Sequence, residues 1–214
     1  MPLHDSLLFL RGFLHDHAAV GSVAPTSRYA ARALSSRYAA ALSTTTRPLH
    51  VLEAGAGTGP VSAVLVEMLR PGDALTLVER EPQFAQRLRE RFAHRGVDIR
   101  AQSVTDLHTS AQFDFIVCSI PFRALPAADV RAILDHFGAL LRPGGELSFL
   151  EYIGGPFLRR NAARLLHDHT AHDNAVAIDQ MIAADAARLE IKCDIVLCNL
   201  PPTRIRHWRR AATA

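Results

Sequence analysis

The spacing of apolar positions changes character near residue 50. Over residues 3–17, Leu3, Leu7, Leu10 and Leu14 recur at helical spacing with Phe9 and Phe13 flanking them, which predicts an amphipathic helix. Residues 20–25 read as a loop. A second helix runs to about Leu42, with Thr26 or Ser27 as its cap. Residues 43–48 form a polar break. Beyond it, short apolar runs at 49–52, 74–78, 97–101, 113–118 and 146–151 predict strands, and helical patterns at 60–69, 82–93 and 127–141 separate them, with a turn at 142–145 before the fifth strand. Residues 156–187 read as helical with an interruption around His172-Asp173-Asn174. Residues 191–198 and 203–208 read as a closing antiparallel pair. Continuous apolar strands alternating with helices indicate a parallel sheet covered on both faces. The expected architecture is therefore α/β and Rossmann-like. Its seven-stranded, mainly parallel sheet occupies residues 47–214, and residues 1–46 form an N-terminal helical extension.

Composition narrows the class. The chain has 214 residues, 49% of them hydrophobic, which suffices for one substantial core. The net charge is +3, and Lys192 is the only lysine, so nearly every cation is an arginine. Arginine suits phosphate oxygens, although a biased genome composition explains the same excess. Cys118, Cys193 and Cys198 show no paired spacing, which argues against a disulfide framework or a zinc site and fits a reducing cytosol. Residues 1–15 carry Asp5 and an Arg11-Gly12 interruption, which does not fit a secretion signal, and no apolar window is long enough to span a bilayer. The expected location is cytoplasmic, peripherally on the inner face of a membrane.

The chemistry is concentrated in Glu53-Ala54-Gly55-Ala56-Gly57-Thr58-Gly59, between a predicted strand and a predicted helix. Glycines there let the backbone turn sharply and leave room for a cofactor against bare peptide. Glu79 ends the next strand, in Val78-Glu79-Arg80, where a carboxylate can accept the two hydroxyls of a ribose. A pyrophosphate would be repelled by Glu53. A cofactor with a cationic amino-acid end would be attracted, so the pattern favours S-adenosylmethionine over a dinucleotide. Adenine is expected beside Gln102-Ser103-Val104, with the Ser103 hydroxyl and the Val104 amide in place of the acid often found at that position; Asp106 is the nearest carboxylate. The cofactor residues expected are Glu53, Gly55, Ala56, Gly57, Glu79, Arg80, Ser103, Val104 and Cys118.

The chain resembles the bacterial phospholipid N-methyltransferases over about residues 6–210. The general part of the likeness is the class I methyltransferase core, Glu53 through Gly59 and Val78-Glu79-Arg80-Glu81-Pro82. More specific are Phe9-Leu10-Arg11-Gly12-Phe13-Leu14, Val20-Gly21-Ser22-Val23-Ala24-Pro25-Thr26-Ser27-Arg28 and Asn199-Leu200-Pro201-Pro202-Thr203-Arg204-Ile205. The resemblance implies methyl transfer from S-adenosylmethionine, leaving S-adenosylhomocysteine, to the amine of phosphatidylethanolamine and its partly methylated forms on the way to phosphatidylcholine. It also implies a first helix that docks on an anionic membrane and lids the site. Ser103 and the histidine-rich 160–187 segment depart from the family pattern, which keeps an ornithine lipid or another amine lipid open as substrate.

Tyr152, after the fifth strand, and Tyr29 are the candidate catalytic residues, by cation–π and hydrogen-bond contact with an alkylated ammonium; both also read as packing residues. Glu151, His169 and water are candidate proton acceptors. Cys118-Ser119-Ile120-Pro121-Phe122 lies where the acceptor enters such enzymes. The His167-Asp168-His169 and His172-Asp173 cluster has irregular spacing and reads as a solvated helix end, so no metal is expected. Arg159, Arg160, Arg164, Arg204, Arg206, Arg209 and Arg210 are candidates for lipid phosphate contacts or a plain solvated face. Neither a nucleic-acid nor a protein partner is expected. An rRNA adenine methyltransferase is the competing enzyme reading, weakened by the lack of a C-terminal helical extension, and an inactive cofactor-binding module that docks to membrane is the competing non-enzyme reading.

Overall fold

The central apolar runs flanked by turn residues become strands here because helices cover them on both faces, while neighbouring strands satisfy their backbone hydrogen bonds. The computed structural model describes residues 25–92, 95–153 and 169–212. Its strands are β1 (His50–Ala54), β2 (Ala74–Glu79), β3 (Asp98–Ala101), β4 (Phe113–Cys118), β5 (Leu141–Tyr152), β6 (Glu190–Val196) and β7 (Thr203–Arg209). They form one sheet in the order β3-β2-β1-β4-β5-β7-β6. Strands β1 to β5 pair in parallel, with Glu53 opposite Leu77 on one side and Val117 on the other. Strand β7 runs antiparallel to both β5 and β6. The order reverses between β1 and β4, which opens a crevice at the carboxyl ends of those two strands.

The helices are α1 (Arg28–Leu34), α2 (Ser36–Leu42), α3 (Pro60–Met68), α4 (Pro82–Phe92), α5 (Ala127–Leu140) and α6 (His169–Leu189). Residues from α1, α2, α3 and α4 share one apolar core with Val51, Leu77 and Ile205 of the sheet. Helices α5 and α6 share the other with Leu52, Ile116, Phe149 and Trp208. In α4, the buried Ala85, Leu88 and Phe92 lie on a single stripe. Among the described residues, no helix is long and apolar enough to cross a membrane.

Local chemistry shifts several predicted boundaries. The second predicted helix is two, α1 and α2, joined at Ser35; Ser27 is the cap, its hydroxyl accepting from the Ala30 amide at 3.2 Å. Ala30, Ala31, Leu34 and Tyr38 are fully buried against the sheet, so this stretch is part of the domain's core. Residues 142–145, expected as a turn, belong to β5, with a register shift between Phe113 and Phe115 and a left-handed Gly144 absorbing the bend. Helix α6 runs through His172-Asp173-Asn174, where a break was expected. Asn174 works for a neighbour instead: its Oδ1 accepts from the Ala127 amide (2.7 Å) and its Nδ2 donates to the Leu125 carbonyl (2.9 Å), capping α5. The predicted 3–17 helix and residues 156–168 lie outside the described residues.

Candidate active site

The bend after β1 is made by three residues in the left-handed region, Gly55 (φ 74°), Gly57 (φ 55°) and Gly59 (φ 83°). The Gly55 and Ala56 amides both donate to the Val78 carbonyl, tying the bend to β2. The glycines serve different ends. A Cβ on Gly55 would stand 2.7 Å from Ile120 Cγ1, and one on Gly59 2.9 Å from Leu88 Cδ2, whereas one on Gly57 would meet nothing within 4 Å. The first and last glycines therefore satisfy the protein's own packing. Gly57 leaves bare main chain facing open space.

Two carboxyl groups flank that bare segment. Glu79, nearly buried at the end of β2, accepts from the Gly57 amide through Oε2 (2.7 Å) and from the Glu81 amide through Oε1 (2.8 Å). Burial raises its pKa and the two amides hold it back. Each oxygen keeps a second lone pair, so the same carboxylate that fixes the bend can accept a pair of hydroxyls. Glu53, one residue before the end of β1, is fully buried, and neither of its oxygens has a hydrogen-bond partner. Burial pushes its pKa up to about 8; Ser62 of α3 partly offsets the rise and Glu79 adds to it. The Ser62 hydroxyl lies beside it, outside hydrogen-bond geometry and likewise unpartnered. A buried carboxyl in this condition calls for a proton or a cation. Next to an open, bare-backbone cradle, it fits the ammonium end of an amino-acid cofactor.

The crevice continues at the end of β4, where the Ser119 amide donates to the Ala54 carbonyl (2.9 Å) and the Ser119 hydroxyl is buried without a partner. Cys118 presents no thiol to this crevice: its side chain is buried in the core on the α5 and α6 face, with its pKa pushed up to about 12 by burial, so only its main chain can line the site. The Ser103 hydroxyl shares a 2.9 Å hydrogen bond with Thr105 Oγ1, and the Val104 side chain enters the core at the start of a 3₁₀ turn, Val104–Asp106. Asp106 and Arg80 are exposed.

The acceptor side is more divided. Tyr152 ends β5 opposite Thr203 and packs, half-buried, against the core containing Ile205. Tyr29 stands on the outer surface of α1, 47% exposed, with the Arg28 guanidinium over its ring at 4.9 Å and bonded to its hydroxyl at 3.0 Å, so one ring face is already taken by a cation. Glu151 is paired with Arg206, which also binds Glu190 at 2.5 Å. The expected lipid-facing arginines of the C-terminal strand are thus largely internal ties: Arg206 as described, Arg209 to Glu146 (2.7 Å) and Arg210 to the Leu141 carbonyl. Arg159, Arg160, Arg164 and the His167-Asp168 pair lie outside the described residues.

Sequence reasoning missed two contributors. Ser62 is a hydroxyl on the buried stripe of α3, between Val61 and Leu65, and a polar residue at such a position is the signal that exposes it. Asn199 ties the β6–β7 loop to the start of α1: its Oδ1 accepts from the Ser27 amide (2.8 Å) and its Nδ2 donates to the Pro201 carbonyl (2.7 Å). Two of the segments that carried the family resemblance therefore meet in space. A Ser148–His207–Asp194 series, with 2.7 Å and 3.2 Å links, has the order of a nucleophilic triad. His207 is fully buried between strands, and burial lowers its pKa, so the series ties β5, β7 and β6 together out of substrate's reach.

Residues 51–145 match the family model described as a methyltransferase domain. The chain is 30% identical over 174 residues to the ornithine lipid N-methyltransferase of Singulisphaera acidiphila, covering 74% of this chain and 85% of that protein. It is 28% identical over 101 residues to the uncharacterized methyltransferase YodH of Bacillus subtilis, covering 47% of this chain and 42% of that one. Among solved structures it is similar in fold to the N-methyltransferase NodS of Bradyrhizobium japonicum (TM-score 0.57, 19% identity, 84% of this chain and 95% of that one). The same holds for the magnesium protoporphyrin IX methyltransferase of Synechocystis with bound S-adenosylhomocysteine (TM-score 0.63, 13% identity, 97% of this chain and 100% of that one).

Proposed function

The chain belongs to the class I S-adenosylmethionine-dependent methyltransferases, and on that premise we propose that it methylates the amine of a membrane lipid, an ornithine lipid foremost and phosphatidylethanolamine second. The observation that carries this reading is the likeness to a lipid N-methyltransferase over 174 residues, well beyond the stretch that matches the methyltransferase domain. The resemblance of the 20–28 and 199–205 segments to phospholipid N-methyltransferases supports it as well.

Bound S-adenosylmethionine supplies an electrophilic methyl group that an amine nitrogen takes by direct displacement. In this reading Glu53 ionises to hold the ammonium of the methionine end, and Glu79 accepts the ribose hydroxyls while keeping Gly57 in place. The main chain of Gly55, Ala56 and Gly57 forms the floor, and the Ser103-Val104 segment borders the adenine. Cys118 and Ser119 contribute main chain at the switch between β1 and β4, with the unpartnered Ser119 hydroxyl available to a polar ligand group. Tyr152 holds the acceptor amine in line. Alignment of nitrogen, carbon and sulfur with water kept out is the protein's main contribution to rate. Glu151 is committed to Arg206, which leaves His169 and water as the candidates to take the proton released by the amine.

The test is transfer of labelled methyl groups into a total lipid extract, compared with purified ornithine lipid, phosphatidylethanolamine and rRNA. Label in a lipid amine is expected. Label in rRNA alone overturns the lipid reading, and label in no acceptor leaves an inactive cofactor-binding module.

A further inference from the structure

At the edge of the site entrance, the loop between β6 and β7 carries large apolar side chains into solvent: Leu197 is 74% exposed and Leu200 70%. Ile195, the last outward apolar residue of β6, is 62% exposed beside them. The loop sits at the carboxyl ends of the parallel strands, because Thr203 pairs with Tyr152 and the Ile153 amide donates to the Pro202 carbonyl at 2.7 Å. It is also held rigidly. Asn199, between the two leucines, is buried and clamps both the Ser27 amide and the Pro201 carbonyl. That clamp sets the start of α1 next to the loop, and with it Tyr29 under the Arg28 guanidinium. Arg28 and Arg32 are exposed on α1, a helix without a single acidic residue.

Protruding leucines are costly in water, and their cost is recovered when they enter an apolar phase. Leucines at a fixed tip, a tyrosine beside them and arginines around them match the layers of a bilayer surface: acyl boundary, interface and anionic headgroups. We propose that the β6–β7 loop, with the start of α1, is a docking element that inserts Leu197 and Leu200 into an anionic bilayer and brings the site entrance against it. The proposal rests on the lipid reading for its purpose, and it is separate from any anchoring by the first predicted helix.

The test uses the full chain and vesicles of equimolar phosphatidylcholine and phosphatidylglycerol. The double variant Leu197→Ser/Leu200→Ser should cosediment with vesicles about tenfold less than wild type or worse. It should retain wild-type affinity for S-adenosylmethionine by calorimetry and, where a lipid amine is labelled, wild-type turnover on detergent-dispersed lipid. Leu200→Trp should retain binding, and its added fluorescence should shift to the blue and be quenched by lipids brominated on their acyl chains. Wild-type cosedimentation of the double variant, or a Leu200→Trp signal indifferent to vesicles, overturns the proposal. So does loss of self-association in the double variant with vesicle binding intact, which would assign the patch to a second copy of the chain. Cosedimentation requires no turnover, so absence of label in any lipid would defeat the substrate reading while leaving the docking result to stand or fall alone.

Discussion

Single residues carry opposed duties in this site, and Glu53 shows it most clearly. Its pKa in the folded chain is raised from 4.5 to about 8 by burial. Burial favours the neutral carboxyl in the ligand-free fold and penalises the charged one. Its share of stability is therefore intact below pH 4.5 and is lost as pH climbs through 8. Each tenfold change in a protonation equilibrium is worth about 1.4 kcal/mol. On that scale Glu53→Gln should stabilise the ligand-free protein at pH 8 by about 2 kcal/mol or more, with little change at pH 4.5; denaturant titrations at the two pH values measure it. The same variant should bind S-adenosylmethionine more weakly, and wild-type binding at pH 7 should release close to one proton, read from calorimetry in buffers of different ionisation heat. The glycines separate in the same way. Gly55→Ala collides with Ile120 and should mainly lower thermal stability. Gly57→Ala meets no atom of the protein, should cost about 1–2 kcal/mol of backbone strain, and should lose cofactor affinity out of proportion to that cost.

At the scale of elements, helix ends and strand ends are secured by side chains distant in sequence. Helix α5 follows Pro126, which offers no capping side chain, and Asn174 of α6 supplies the acceptor. Asn174→Ala should cost about 1 kcal/mol, with faster amide exchange at Ala127 by hydrogen-exchange NMR. Asp73 is the counterpart at the other end of the sheet. It accepts from the Leu49 amide (2.8 Å), Tyr38 Oη (2.8 Å) and Arg70 Nε (3.1 Å), joining α2, the residue before β1 and the turn before β2. Burial opposes its ionisation, yet the Arg70 pairing and the other donors hold its pKa below the ordinary value of 3.8. Its stabilisation is present above that value and disappears only as pH falls further. Asp73→Ala should destabilise by about 2–4 kcal/mol at pH 7, with no loss of cofactor affinity under folding conditions.

For the whole molecule, the three proposed functions fall along a single edge of one sheet. The carboxyl ends of β1, β2 and β4 hold the proposed cofactor cradle, β5 ends at Tyr152, and the β6–β7 loop carries the exposed leucines. Docking and cofactor binding should therefore be separable. Deleting residues 1–18 is expected to reduce vesicle binding while S-adenosylmethionine affinity survives, because the cradle is built from residues after His50; unchanged cosedimentation would remove the first helix from the docking surface. A ligand that binds only the folded state should also raise the melting temperature with concentration, and Glu79→Ala should abolish that shift by freeing the Gly57 amide as well as losing the proposed diol acceptor.

Periodicity was enough by itself to specify the strands, most helices and the parallel sheet, and one glycine-rich segment singled out Glu53 and Glu79 as candidates, because these are local patterns imposed by backbone geometry. What no local pattern contains is where a side chain goes once strands are stacked. That Cys118 turns its thiol into the core, that Arg206 is spent on Glu151 and Glu190, that Asn174 extends a helix in order to cap another, and that Asn199 reaches Ser27 all follow from packing between residues far apart in the chain. Hydrogen-bond satisfaction and burial are decided by neighbours in space, and only the tertiary structure supplies them.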